Sequence, residues 1–215
     1  YDLIYEGMQK NYQQDVTKIE DLITKHKKSK GNTLLDVACG SGKHLIYFVK
    51  NFKCTGIDIN KGILEIARKK LPNVEFVQSD MTELNLGKQF DVITCLFSSI
   101  GYVKTKANLQ KTIQNFAEHL LPGGIAIIEP WFTEENYLTG TVHLSTYESE
   151  NVKIARMNVS EKKGNVSIMD MHYLIGEKNQ EIKHIIDRHE LGMFDPETFK
   201  KYLQSAGLTV KYLKE

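Results

Sequence analysis

The run Asp36-Val37-Ala38-Cys39-Gly40-Ser41-Gly42-Lys43-His44 sets the class of fold. It continues the short apolar strand Leu34-Leu35-Asp36-Val37 and opens a helix over about 43–52. Glycines in such a turn let a ligand approach the backbone, and a helix start offers unpaired N–H groups. Two phosphate-binding readings of the turn fail on single residues. A P-loop needs Ser or Thr after Gly-Lys, and His44 stands there. A dinucleotide fingerprint needs a small residue at position 45 for close helix packing, and Leu45 stands there.

On both sides of this turn strands alternate with helices. Cys54 to Ile59, Val74 to Gln78, Phe90 to Phe97 and Ile125 to Ile128 read as strands. A helix from Lys61 to Leu71 places Ile63, Leu64, Ala67 and Leu71 on one face. Another, from Ala107 to Leu121, does the same with Leu109, Ile113, Phe116 and Leu120. An earlier helix carries Val16, Ile19, Leu22, Ile23 and His26. This rhythm predicts βαβ units in a mostly parallel, doubly wound α/β sheet of Rossmann-like type.

From Thr141 to Phe194 the rhythm changes to alternating runs: Val142 to Leu144, Val152 to Val159, Val166 to Ile175 and Ile182 to Leu191. Turn residues separate them, which predicts an antiparallel β meander inserted after the fifth strand. Asp195-Pro196 then offers an N-cap and a proline at the first helical position. Gly207 ends that helix, and Leu208 to Leu213 reads as a final strand. The expected organisation is one domain: a core with an N-terminal helical cap over 1–140, the β insertion over 141–194, and a return to the core sheet over 195–215.

Composition narrows the function. Among 215 residues 28 are basic and 27 acidic, a net charge of +1. Binding nucleic acid by counterion release calls for a basic excess, so nucleic acid is not an expected partner. No apolar run approaches the ~18 residues of a membrane span. Cys39, Cys54 and Cys95 are odd in number, widely spaced and without a Cys-x-x-Cys pair. They argue against a disulfide framework or zinc ribbon and for a reducing, cytoplasmic setting. The seven histidines show no metal-ligand spacing.

Chemistry gathers at successive strand ends. Asp58 closes the second strand, where a carboxylate can accept both hydroxyls of a ribose; the bland alternative, a helix N-cap, is better filled by Asn60. Gln78-Ser79-Asp80-Met81 closes the third. There a carboxylate can read an adenine amino group and Met81 can pack on the ring, against the alternative of an Asx-turn.

These strand ends together resemble the class I methyltransferases that use S-adenosylmethionine. Phe90-Asp91-Val92 and Leu121-Pro122-Gly123-Gly124 belong to the same pattern; Ala38, where the family often has Gly, departs from it. Within that class, Tyr1-Asp2-Leu3-Ile4-Tyr5, Leu35 to Gly40, Phe97-Ser98-Ser99-Ile100-Gly101-Tyr102 and Glu129-Pro130-Trp131 are similar to the N,N-dimethyltransferases of nucleotide-linked amino sugars, of desosamine and mycaminose type. The resemblance spans nearly the whole chain and is looser in the meander. It implies a methyltransferase with S-adenosylmethionine as cofactor, a dTDP-3-amino-sugar as acceptor, a homodimer, and a meander beside the active site. It assigns Tyr12, Asp36, Ala38, Gly40, Gly42, Asp58, Ile59, Asp80, Met81 and Phe97 to the cofactor, and Tyr102 and Trp131 to the substrate.

Aromatic faces attract a sulfonium, which makes Tyr5, Tyr12, Phe97 and Trp131 candidate walls around it. Tyr5 is the candidate to orient the acceptor amine. His172 is the second catalytic candidate, because Met171-His172-Tyr173 matches the amino-sugar family's pattern. Arginine is sparse: Arg68, Arg156 and Arg188. Its fork suits phosphate, so a diphosphate would meet Arg156 or Arg188. Cross-strand ion pairs with Glu148, Glu150 or Glu190 are the competing reading. Three other functions stay open: methylation of another small amine, a nicotinamide-dependent oxidoreductase, which Leu45 opposes, and a non-catalytic binding module.

Overall fold

A computed structural model describes residues 2–213. In chain order its elements are α1 (Asp2–Gly7), α2 (Tyr12–His26), β1 (Thr33–Val37), α3 (Leu45–Phe48), β2 (Lys53–Asp58), α4 (Lys61–Lys70), β3 (Glu75–Gln78), β4 (Phe90–Cys95), α5 (Lys106–Glu118), β5 (Leu120–Ile128), β6 (Val142–Glu148), β7 (Val152–Val159), β8 (Glu161–Lys163), β9 (Val166–Glu177), β10 (Lys183–Gly192) and α6 (Pro196–Ser205). Short 3-10 turns occupy Met81–Glu83 and Ser99–Val103. The chain forms two compact units. One is Tyr12–Trp131 with Phe194–Glu215; the other is Tyr1–Asn11 with Phe132–Met193.

The first unit is the α/β core. Its parallel sheet runs β3-β2-β1-β4-β5. Strand alternation sorts side chains to two faces. Leu34 joins Val16, Ile23, Leu45, Phe48 and Leu64 from α2, α3 and α4. Its neighbours Leu35 and Val37 join Leu109, Ile113 and Phe116 of α5, against which Phe199 and Leu203 of α6 pack. The sheet is therefore covered on both sides, as its apolar strands demand. Leu109, Ile113 and Phe116 are fully buried, and each such side chain contributes about 1.5–3 kcal/mol. Asn60, Thr105 and Asp195 cap α4, α5 and α6 through their side chains. Asp91 closes the entry to β1 by accepting from Gly31 N–H, Thr33 N–H and the Thr33 hydroxyl. Burial raises its carboxyl, but the hydrogen bonds from Thr33, with Ser29 and the Lys27 charge, prevail and hold it below the usual carboxylate range.

Three local expectations change. The helix after the glycine turn is confined to Leu45–Phe48, although Val49 and Phe52 still bond back to Leu45 and Phe48. β5 begins at Leu120 and passes through Pro122-Gly123-Gly124, with a register shift against β4 between Phe90 and Val92. The expected strand at 208–213 is not formed: among the described residues no strand pairs with it, and a strand exists only by pairing. Leu208 instead packs against the α5 face of the core.

The second unit is an antiparallel sheet in the order β10-β9-β7-β6, with β8 folded onto β9. Residues paired across it share a face. On one face α1 lies down, with Ile4 against Ile154 and Tyr173. A Cβ on Gly7 would come 2.5 Å from the Thr146 carbonyl oxygen, so glycine is what lets α1 approach β6. The opposite face presents Val142, Leu144, Met157, Val159, Leu174 and Ile186, each 45–63% exposed. No helix among the described residues is long and apolar enough to cross a membrane.

Candidate active site

In the α/β core the chain runs outward through β1, β2 and β3 and returns to β4 beside β1. The order reverses there, and in open α/β sheets ligands bind beyond the carboxyl ends of the strands at that reversal. The turn after β1 carries three residues with positive φ: Ala38 (+56°), Gly40 (+54°) and Gly42 (+78°). A side chain at Gly42 would also press on Leu71 at 3.3 Å. Ala38 therefore pays the cost of a left-handed conformation that glycine would not.

Asp58 at the end of β2 is held from two sides. One carboxylate oxygen accepts Gly40 N–H at 2.9 Å and the other accepts Asn60 N–H at 2.9 Å. It locks the glycine turn to β2, and each oxygen retains a further lone pair for a ligand hydroxyl. Ile59 beside it is 64% exposed, an apolar side chain standing open next to a fixed carboxylate. Asp36 at the end of β1 is buried and accepts the Thr94 hydroxyl at 2.8 Å. Burial pushes its carboxyl up to about 7; Thr94 opposes this and the nearby Asp58 charge adds to it. Asp80 does serve as a turn residue, with one oxygen accepting both Thr82 N–H and the Thr82 hydroxyl. Met81 packs against the core next to it. Tyr12 reaches the same turn, its ring edge-on to His44 at 5.0 Å. Three carboxylates at successive strand ends suit a cationic, hydroxyl-bearing ligand. They suit a chain of phosphates poorly. S-adenosylmethionine, a sulfonium with an ammonium group and a ribose, fits that donor set.

The end of β4 is strained. Phe97 (φ +54°) and Ser98 (φ +59°) are the two central residues of a turn closed by Ser99 N–H to the Leu96 carbonyl. That is the pattern of a type I′ turn, which favours Asn-Gly, and each non-glycine residue held there costs about 1–3 kcal/mol. Glu129, just past β5, accepts Phe97 N–H at 2.6 Å, and the Ser98 hydroxyl donates to the Pro130 carbonyl at 3.0 Å. Sequence spacing did not single out Glu129, because nothing in Phe-Ser announces a positive φ. Tyr102 is half-exposed in the 3-10 turn that follows, and Trp131 is partly buried just after β5.

In the second unit Arg156 is 8% exposed. Its guanidinium donates to the Tyr5 hydroxyl at 3.4 Å, to Ser145 at 3.2 Å and toward the Met8 sulfur at 3.5 Å, and lies 5.3 Å from the centre of the Tyr5 ring. Burial lowers its pKa, but Tyr5 and Tyr173 outweigh that and hold it above its ordinary value. No carboxylate among the described residues pairs with it. A buried cation with only neutral partners is costly unless an anion arrives to match it.

Two candidates fall elsewhere. Arg188 is the cross-strand ion pair: it bonds Asp170, opposite it on β9, and Glu190, both at 3.1 Å. Its fork is occupied, so it is not available to a diphosphate. His172 pairs with Met157 and Ile186, on the exposed face of the sheet, and its Nδ1 lies 3.1 Å from His184 Nε2. Tyr5 and Arg156 are on the other face, because side chains alternate. His172 and Tyr5 therefore do not meet on one substrate.

Comparison with known proteins agrees with this geometry. A methyltransferase domain model matches residues 34–124. Over 215 residues the chain is 35% identical to the dTDP-3-amino-3,4,6-trideoxy-alpha-D-glucopyranose N,N-dimethyltransferase of Streptomyces venezuelae, covering 100% of this chain and 90% of that one. The chain belongs to the sugar N,N-dimethyltransferases. Among solved structures, Streptomyces venezuelae DesVI superposes with a TM-score of 0.94 at 35% identity, covering 100% of this chain and 91% of that one. CalS10, an amino pentose methyltransferase from Micromonospora echinaspora solved with its cofactor bound, superposes at 0.87 with 30% identity, covering 96% and 87%. This sugar N,N-dimethyltransferase homologue is an S-adenosylmethionine-dependent enzyme with the Rossmann-like fold of its relatives.

Proposed function

We propose that the enzyme N-methylates the amino group of a nucleotide-linked amino sugar. The observation that carries the acceptor class is Arg156, a buried guanidinium whose partners are hydroxyls, a thioether and a ring face. A diphosphate supplies the missing counter-charge and matches the fork. The Streptomyces venezuelae relative, named for a dTDP-amino-sugar, supports the same reading.

When bound, S-adenosylmethionine supplies an electrophilic methyl group on a sulfonium. Asp58 holds the ribose and, through Gly40, the shape of the turn; Asp36 offers an acceptor inside it; Ile59 and Met81 give apolar contact to a base. Tyr12 lends an aromatic face to that end of the core. Tyr5, kept in place by Arg156, is the residue that orients the acceptor amine. With the cofactor bound, transfer would be an in-line displacement: the amine nitrogen would take the methyl, the sulfur–carbon bonding pair would remain on sulfur, and the amine's surplus proton would pass to water. Alignment of this kind accounts for roughly 7–11 kcal/mol of barrier lowering in well-oriented systems.

The homodimer is part of the same proposal. Six apolar side chains form one exposed sheet face in the meander unit, and such a patch marks an interface. Cys39, Cys54 and Cys95, all unpaired, fit a reducing cytoplasm. The test is mass spectrometry of a dTDP-3-amino-sugar incubated with enzyme and S-adenosylmethionine. A gain of one or two methyl masses on the sugar supports the reading. Methylation of a free small amine with none on the sugar nucleotide contradicts it.

A further inference from the structure

We propose that Glu129 is a positioning residue for the cofactor site, acting by holding the Phe97-Ser98 turn in its left-handed form. The inference rests on the cofactor reading above and adds a residue to it. Phe97 and Ser98 sit at the carboxyl end of β4, the strand on the far side of the order reversal from β2. Two consecutive non-glycine residues at positive φ persist only where their surroundings over-determine them, and such strain clusters at functional sites. Two restraints hold this turn. β5 runs beside β4, and its pairing continues one step further as Glu129 N–H bonds the Cys95 carbonyl. That places the Glu129 side chain across from Phe97, whose N–H it accepts at 2.6 Å, a charge-assisted bond of the short kind. The Ser98 hydroxyl adds the second tie, to the Pro130 carbonyl. Without the carboxylate, Phe97 N–H loses its acceptor and the turn is free to flip into a commoner form. The Phe97 ring and peptide, assigned to the cofactor, then leave their place. Glu129 needs no contact with ligand to do this.

The experiment is calorimetric titration of S-adenosylhomocysteine, with no acceptor and no turnover, into wild type, E129A, E129Q and the double variant E129A/S98G. Glycine at 98 removes one of the two conformational costs, and with it the Ser98 hydroxyl's tie to Pro130, so recovery requires relief of strain to outweigh that lost tie. The expected result is a dissociation constant about tenfold weaker in E129A, recovery to within about threefold in E129A/S98G, and near-wild-type binding in E129Q, which retains an acceptor oxygen. Unchanged affinity in E129A overturns the proposal. Weakening that glycine does not relieve also overturns it, because strain in the turn would then not be what Glu129 offsets. Should E129A fail to fold, E129Q decides: a tenfold loss in folded E129Q contradicts a role carried by the acceptor oxygen alone. Wild type that binds no S-adenosylhomocysteine would instead defeat the cofactor reading itself, a separate outcome.

Discussion

The α/β core and the meander unit carry their chemistry in different ways. In the core the site is made of backbone: strand ends, positive-φ turns and N–H groups, with Asp58 bonding two of them. In the meander unit it is made of one side chain, Arg156, whose partners come from α1, β6 and β9. A backbone site is written in neighbouring residues. A side-chain site on a sheet face depends on register across three strands and on what lies down over them. The two also carry opposite charges: the core sets the carboxylates of Asp36, Asp58 and Asp80 at successive strand ends, and the meander unit buries the Arg156 guanidinium.

The largest expected effect is on the core. Asp58→Ala removes a charged acceptor for two backbone N–H groups and for the ribose. At about 1.5–3 kcal/mol, S-adenosylhomocysteine binding should weaken roughly 10- to 150-fold by calorimetry. Nucleotide binding should be unaffected. Arg156→Met keeps the volume and removes the charge. Binding of dTDP should weaken about tenfold or more, with cofactor affinity within about twofold. The same substitution also removes a buried cation, so the denaturation midpoint in urea should hold or rise.

Asp36 yields a pH dependence confined to the core. Its carboxyl rises from 3.8 to about 7 on folding, first through burial. Between those values the folded protein keeps a proton that the unfolded chain has released. Stability therefore falls as pH rises through about 4 to 7. Asp36→Asn cannot release that proton, so its urea midpoint, measured without cofactor, should decline less across this window than that of wild type. Equal declines would show that Asp36 is not the group responsible. The smallest effect is at Ala38, where φ is +56°. Ala38→Gly relieves that conformation and should stabilise by up to about 1 kcal/mol, less what the freer unfolded chain costs.

Legibility followed the same divide. Gly40, Gly42 and Asp58 were readable because a turn that opens a helix and an acid that ends a strand are local patterns. That the core sheet is parallel and covered by helices followed from the alternation of strands with helices; its strand order did not. The meander strands were placed within a few residues, since period-two alternation marks them. Other features were not readable. Tyr5 and Arg156 are 151 residues apart, and no spacing rule joins them. Arg188 looked equivalent to Arg156, and His172 stood beside Tyr5 as a catalytic candidate, yet register placed His172 on the exposed face and put Arg188 opposite Asp170. Phe97-Ser98 has none of the composition of a type I′ turn, so its strain and its tie to Glu129 show only in three dimensions. At 208–213 the apolar alternation was genuine, but alternation without a pairing strand yields no ladder.

The most direct test of the account titrates both ligands into both variants: S-adenosylhomocysteine and dTDP into Asp58→Ala and Arg156→Met. The account predicts a crossed result, with Asp58→Ala losing the first ligand and keeping the second, and Arg156→Met the reverse. Loss of the same ligand in both variants, or of dTDP in neither, would contradict the assignment of the cofactor to the core and the anion to Arg156.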